Sequence, residues 1–198
     1  MNSNLTTLLT NINSCSLCKE NLPNEPRPIV RAHENSKICI IGQAPGAKVH
    51  RSGIPWNDPS GDQLRKWLNV GSGLFYQPEI FAIVPMGFCY PGKGNSGDLP
   101  PRAECAPTWH NLLLEKMPNL ELTLLVGQYA QAYYLPKTAK TTLTQRVRDF
   151  KDYLPRFFPL PHPSPRNRFW LNKNAWFEED VIPDLRRRVH GILHAMTV

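Results

Sequence analysis

The stretch Ile38-Cys-Ile-Ile-Gly-Gln-Ala-Pro-Gly46 constrains this chain more than any other. Apolar residues 38–41 run straight into a sequence that can continue neither a strand nor a helix. A short apolar run fits a strand covered on both faces. Gly42, Pro45 and Gly46 then force a tight turn with exposed backbone at its carboxyl end. In open α/β sheets that end is where ligands bind. Taken alone, the fragment reads as an ordinary strand-to-helix turn of such a fold.

The rest of the chain repeats the pattern. Strands are expected over 37–41, 79–84, 120–126 and 156–160, and helices over 4–12, 61–70, 102–117, 128–135, 168–178 and 184–196. Ser60 is the expected N-cap of the helix over 61–70. Leu112, Leu113 and Met117 form the apolar face of the helix over 102–117. Strands alternating with helices predict an α/β fold, a mostly parallel sheet sandwiched between helical layers. At 198 residues, with no visible linker or repeat, one domain over 1–198 is expected.

No run approaches the ~18–20 apolar residues of a membrane span, so no membrane partner is expected. The first residues show no basic segment followed by an apolar one, which makes the cytoplasm the expected location. Twenty prolines, about twice the ~5% average, cluster at 23–28, 85–107 and 155–165. Long rigid loops should therefore lie over a compact scaffold, and chemistry is usually placed on such loops. The net charge of +7 and pI near 9.3 favour a polyanionic partner such as nucleic acid.

The five cysteines divide into one and four. Cys39 lies in an apolar strand and reads as a small buried hydrophobe. Cys15-x-x-Cys18 lets two thiolates reach one metal centre from a single turn. Seventy residues separate Cys18 from Cys89, and fifteen separate Cys89 from Cys105. Neither gap matches compact zinc-finger or ferredoxin spacings. Four thiolates could hold an iron–sulfur cluster or a tetrahedral zinc. Equally, the four could be unrelated loop residues; spacing does not choose.

Two loops carry the polar groups of a site. In the loop 42–60, Trp56 sits between Pro55 and Asn57 with no periodicity to explain it, and could serve as a stacking platform for a planar base. Asp58 and Asp62 flank a helix start, where capping accounts for them. In the second, Leu160-Pro-His-Pro-Ser-Pro-Arg-Asn-Arg-Phe-Trp170, His162 is clamped between prolines so that its imidazole can be aimed. Ser164, Arg166, Asn167 and Arg168 offer groups suited to phosphate and sugar. Phe169 and Trp170 are expected to anchor this loop in the core.

Together these features resemble the uracil-DNA glycosylase superfamily. Gly42-Gln43-Ala44-Pro45-Gly46 is similar to its first motif, a strand followed by Gly-Gln/Glu-x-Pro. His162-Pro-Ser-Pro-Arg-Asn167 is similar to its His-Pro loop, especially in the single-strand-selective branch. The order of Cys15, Cys18, Cys89 and Cys105 resembles the iron–sulfur branch. The likeness covers roughly residues 15–175. It implies a four-stranded parallel sheet in an αβα sandwich, acting on DNA that contains a damaged base, as a monomer. It also implies a [4Fe–4S] cluster on the four cysteines, with zinc as the alternative. The implied reaction is hydrolysis of the N-glycosidic bond of a flipped-out deaminated base, with uracil the expected one. Within it, Gly42, Gln43, Ala44, Pro45 and Gly46 line the pocket, Trp56 stacks on the base, and His162 stabilises the departing anion. Ser164 belongs to the contacts of that loop, and Arg166 and Asn167 enter the duplex. Arg51, Arg166 and Arg168 are expected to form one basic face.

Three positions depart from the family pattern. Ala44 stands where several branches carry Asp or Asn, Gln43 where the iron–sulfur branches often carry Glu, and Pro85 where that branch usually has Asn. Gln cannot act as a general base at neutral pH. Asp58 is then the expected catalytic carboxylate beside His162 and Gln43, with His50 behind it. The same departures suit a non-catalytic or covalently trapping damage binder on this fold. A redox-responsive iron–sulfur DNA-binding module is the third reading.

Overall fold

Two-residue alternation along the strands decides the architecture. The computed structural model describes residues 4–95, 97–135 and 142–196. Its elements are α1 (Leu5–Asn13), β1 (Ile38–Ile41), α2 (Ala47–Ser52), α3 (Pro59–Leu68), α4 (Ser72–Phe75) and β2 (Phe81–Ile83). Then follow β3 (Lys93–Gly94), β4 (Gly97–Asp98), α5 (Cys105–Leu114), β5 (Leu122–Val126), α6 (Gln128–Tyr134), α7 (Leu143–Arg148), β6 (Phe157–Leu160), α8 (Arg168–Lys173) and α9 (Ile182–Ala195). Strands β2, β1, β5 and β6 form, in that order, a sheet in which every pairing is parallel.

Side chains at successive strand positions point to opposite faces. Ile38, Ile40, Leu122, Leu124 and Val126 therefore join Leu64, Leu68, Phe177, Leu185 and Val189 in one core. Cys39, Ile41, Ala82 and Leu125 join Leu8, Ile12, Leu113 and Met117 in the other. Two cores on two faces make the three-layer αβα sandwich expected from the sequence. Cys39 is fully buried, as its strand position predicts.

The differences from expectation are local. The second helix starts at Pro59, and its N-cap is Asp58 rather than Ser60: Asp58 Oδ1 accepts from the Gly61 N–H at 2.8 Å. The loop 42–60 contains α2, and the loop 85–101 contains the hairpin β3–β4. Leu112 faces solvent, so the apolar face of α5 is carried by Leu113, with Met117 just beyond its end. Helix α8 stops at Lys173, and a π-helical turn over Phe177–Val181 leads into α9. Phe169 is 70% exposed and anchors nothing in the core. Trp170 is half-buried against Trp176 and Phe177, with its indole N–H donating to Thr144 Oγ1 at 2.8 Å.

Candidate active site

All four sheet strands are parallel, so the segments after them emerge at one edge. There, residues 42–46, Trp56, Asp58, Pro85, Asp98, His162, Ser164, Arg166 and Asn167 line a single cavity of about 520 Å³. Cavities that take small ligands run from roughly 300 to 1,000 Å³.

Trp56 is the centre of this pocket, and two glycines make room for it. Its backbone is left-handed, with φ of 57°, a conformation that costs a non-glycine residue of order 1–3 kcal/mol and is common where function requires it. A Cβ at residue 42 would lie 2.7 Å from Trp56 Cζ2, and a Cβ at residue 61 would run into the Trp56 carbonyl. Gly42 thus serves close packing as well as the turn. Asp58 fixes the start of α3, and Arg65 Nη1 donates to the Trp56 carbonyl at 3.3 Å, so the strained loop is held from both sides.

His162 reaches Trp56 from two strands away. β1 and β6 are not neighbours; β5 lies between them. Gly127, just after β5, has φ of 87°, a backbone conformation that favours glycine, and the His162 side chain packs over it. The His162 and Trp56 rings lie 5.8 Å apart at 34°. Asn167 Nδ2 donates to the His162 carbonyl at 2.7 Å, and Ser164 Oγ accepts from the Arg166 N–H at 3.3 Å, closing the loop into a short 3₁₀ turn. Buried Gln131 of α6 donates to the Leu160 carbonyl at 2.9 Å and so secures the strand end before the loop. Burial lowers the His162 pKa below its ordinary value, against a smaller opposing pull from Asp58. The ring is then neutral near pH 7, with one N–H to donate.

On the other side of the pocket, Met86 and Gly87 donate to the carbonyls of Gly42 and Gln43 at 2.9 and 3.0 Å. The Gln43 amide donates to the Leu99 carbonyl at 3.4 Å, tying the first turn to the residue after β4. His110 is fully buried behind Pro85. Its Nε2 lies 3.0 Å from the Pro85 carbonyl and its Nδ1 2.6 Å from the Tyr134 hydroxyl. A carbonyl only accepts, so Nε2 carries the proton and Tyr134 donates to Nδ1. Burial holds the His110 pKa down at about 4.

Three positions at or behind the pocket have weak sequence signals. Asp98 lies in a loop whose Gly94 and Gly97 are hairpin markers, while Gln131 and His110 look like ordinary helix residues. His50 is outside the cavity lining, its ring 5.9 Å from that of Tyr90.

Cys15, Cys18, Cys89 and Cys105 line a second, narrow cavity with Leu22, Pro26, Pro28, Phe88, Arg102 and Trp109. All four are free thiols. Three separate segments bring them there, which the sequence spacing leaves open. Cys105 Sγ accepts from the Phe88 N–H at 3.4 Å, and burial raises the thiol pKa of Cys105 to about 12 and of Cys89 to about 11. Among the described residues no group of three or more His, Cys, Asp or Glu side chains is placed so that it could hold a metal ion. By donor chemistry alone, four soft thiols are the set that either an iron–sulfur centre or a tetrahedral zinc takes. No helix among the described residues is long and apolar enough to cross a membrane. Residues 30–186 match the family model of the uracil DNA glycosylase superfamily.

Proposed function

The chain belongs to the uracil DNA glycosylase superfamily, and from that premise we propose that it excises a deaminated base, uracil first among them, from DNA by hydrolysing the N-glycosidic bond. The observation that carries this reading is the His162 ring set 5.8 Å from Trp56 in the cavity lined by the 42–46 turn. A base inside a stacked duplex cannot be attacked at its sugar bond, so it must be turned out into a pocket. Trp56 offers that base a stacking surface. With the Gly42 and Gln43 carbonyls bonded to Met86 and Gly87, the turn presents N–H groups to a base carbonyl.

As the bond to C1′ breaks, the electron pair stays on the base. A neutral His162 N–H, aimed by the Asn167 bond to its own carbonyl, stabilises that charge more than it stabilises bound substrate. Pro85 supplies no side-chain amide, so discrimination among bases falls to backbone groups and pocket shape. Arg166, with exposed Arg51 and Arg168, supplies charge for phosphates.

The cysteine cradle would hold a [4Fe–4S] cluster through Cys15, Cys18, Cys89 and Cys105, with a structural role. Bound there, it would pin the amino-terminal segment to the 85–105 region. Zinc on the same thiols is the alternative.

Incubation with oligonucleotides carrying uracil, hypoxanthine or xanthine, followed by alkaline cleavage at abasic sites, tests the activity. Strand breaks at the modified position are expected. Tight binding without breaks, or a denaturation-resistant protein–DNA adduct, would replace the hydrolase reading by the damage binder that Ala44 and Pro85 also suit.

A further inference from the structure

Hydrolysis needs a group to orient and deprotonate the attacking water, and the Gln43 amide cannot do so. Two carboxylates line the pocket, Asp58 and Asp98. Asp58 is engaged in structure, since its Oδ1 caps α3 through the Gly61 N–H. We propose that Asp98, on the β3–β4 hairpin, is the catalytic base that holds and deprotonates the water. The assignment rests on the glycosylase reading above.

Its position is the first argument. A flipped base remains tethered to its backbone, so the base lies deep, the phosphates lie outside, and C1′ lies between them at the rim. Asp98 is at that depth. It is exposed at the pocket mouth, and its Oδ2 stands 3.2 Å from where a Cβ at Gly46 would be. His162 follows β6, at one edge of the sheet, and the hairpin follows β2, at the other. Leaving-group and water-activating groups are thereby brought to the pocket from opposite sides.

The setting of the carboxylate is the second. Two contacts fix the hairpin that carries it. Gln43 Nε2 donates to the Leu99 carbonyl, and the Arg166 guanidinium lies where any side chain at Gly97 would be. Gly97, with φ of 150°, can accept that approach. Partial burial raises the Asp98 pKa and the Asp58 carboxylate adds to the rise, while Arg166 and Lys93 pull against it; the net shift is toward the range useful to a general base. An anionic group at a mouth meant for phosphates works against DNA binding, a cost that a role in the chemistry accounts for.

The step balances without any further reactant. A water lone pair forms the C1′–O bond as the C1′–N bond breaks. The bonding pair leaves with the base, whose charge His162 stabilises, and the water proton passes to Asp98 and then to solvent. The carboxylate charge also favours the positive character that develops on the sugar.

Single-turnover rates for wild type, Asp98→Asn, Asp98→Glu and Asp58→Asn on a uracil oligonucleotide test this, with affinity measured on a non-cleavable 2′-fluoro analogue. Asp98→Asn should lose on the order of 10²–10³ in rate, bind the analogue as tightly as wild type or slightly more so, and lose the acid limb of the pH–rate profile. Asp98→Glu should restore part of the rate. A wild-type rate in Asp98→Asn overturns the assignment, as does an acid limb that survives there and vanishes in Asp58→Asn. A rate loss matched by an equal affinity loss would make Asp98 structural. A wild type inert on every deaminated base overturns the hydrolase reading and this assignment with it.

Discussion

The base pocket and the cysteine cradle are both assembled from distant segments, yet they are held in place differently. The pocket stands on the carboxyl ends of four hydrogen-bonded strands, and Trp56 is seated by absent side chains at Gly42 and Gly61. The cradle stands on the turns around Cys15 and Cys18, the segment at Cys89 and the start of α5. Two backbone N–H groups reach its sulfurs, that of Phe88 at Cys105 and that of Arg27 at Cys89. A sheet edge pre-organises chemistry in the fold itself, whereas the cradle would gain rigidity from the cluster proposed for it. The pocket should therefore respond to mutation mainly in rate, and the cradle mainly in stability.

The largest effect should come from the cradle. Cys105→Ser is expected to abolish the visible absorption and iron content of anaerobically purified protein. It should also lower unfolding stability by several kcal/mol, because binding energy at a folded-only site is folding energy. Glycosylase turnover per folded molecule should change far less. Wild-type protein without iron, or full stability in the variant, would remove the distinction between the two regions.

His110 tests the link between them, since it stacks on Phe88 beside the cradle and bonds Pro85 beneath the pocket. Its folded pKa of about 4 lies below the ordinary ~6.5, so the unfolded chain takes up this proton first as pH falls. Its contribution is complete above pH ~6.5 and is lost as pH falls toward ~4, about 3 kcal/mol in all. Denaturant unfolding across that window should show the slope in wild type and a flatter one in His110→Gln. An identical slope in both would assign it to other groups.

His162→Ala should lower the single-turnover rate on the order of a hundredfold, comparable to losing one oxyanion donor, with melting temperature nearly unchanged. Equal losses in rate and stability would show that the pocket is not pre-organised. The smallest effect belongs to Arg168, exposed beyond both regions. Arg168→Ala should weaken DNA binding a few-fold and reduce the log–log salt slope by about one. An unchanged slope would place the phosphate path elsewhere.

Local order carried much of this into the sequence. Ile38–Ile41 fits a doubly covered strand, because a run of four apolar residues leaves neither face for water, and the Gly/Pro turn after it ends that strand. The Pro-clamped His162 loop was legible for the same reason: proline fixes backbone angles without reference to the rest of the chain. The exposed Phe169 and Leu112 were misread because an aromatic or leucine side chain shows its type in sequence but not which surface it will face.

What the sequence determined by itself was the alternation of strands and helices, the two polar turns and the burial of Cys39 within its strand. The tertiary structure alone decided that β5 separates β1 from β6, and that His162 packs over Gly127 to reach Trp56. It alone brought Asp98 to the pocket mouth and four cysteines from three segments to one cavity. The physical reason is range. Turn and strand preferences act over a few residues and are written locally, whereas strand order and loop meeting points are set by packing two cores at once, which no short stretch encodes.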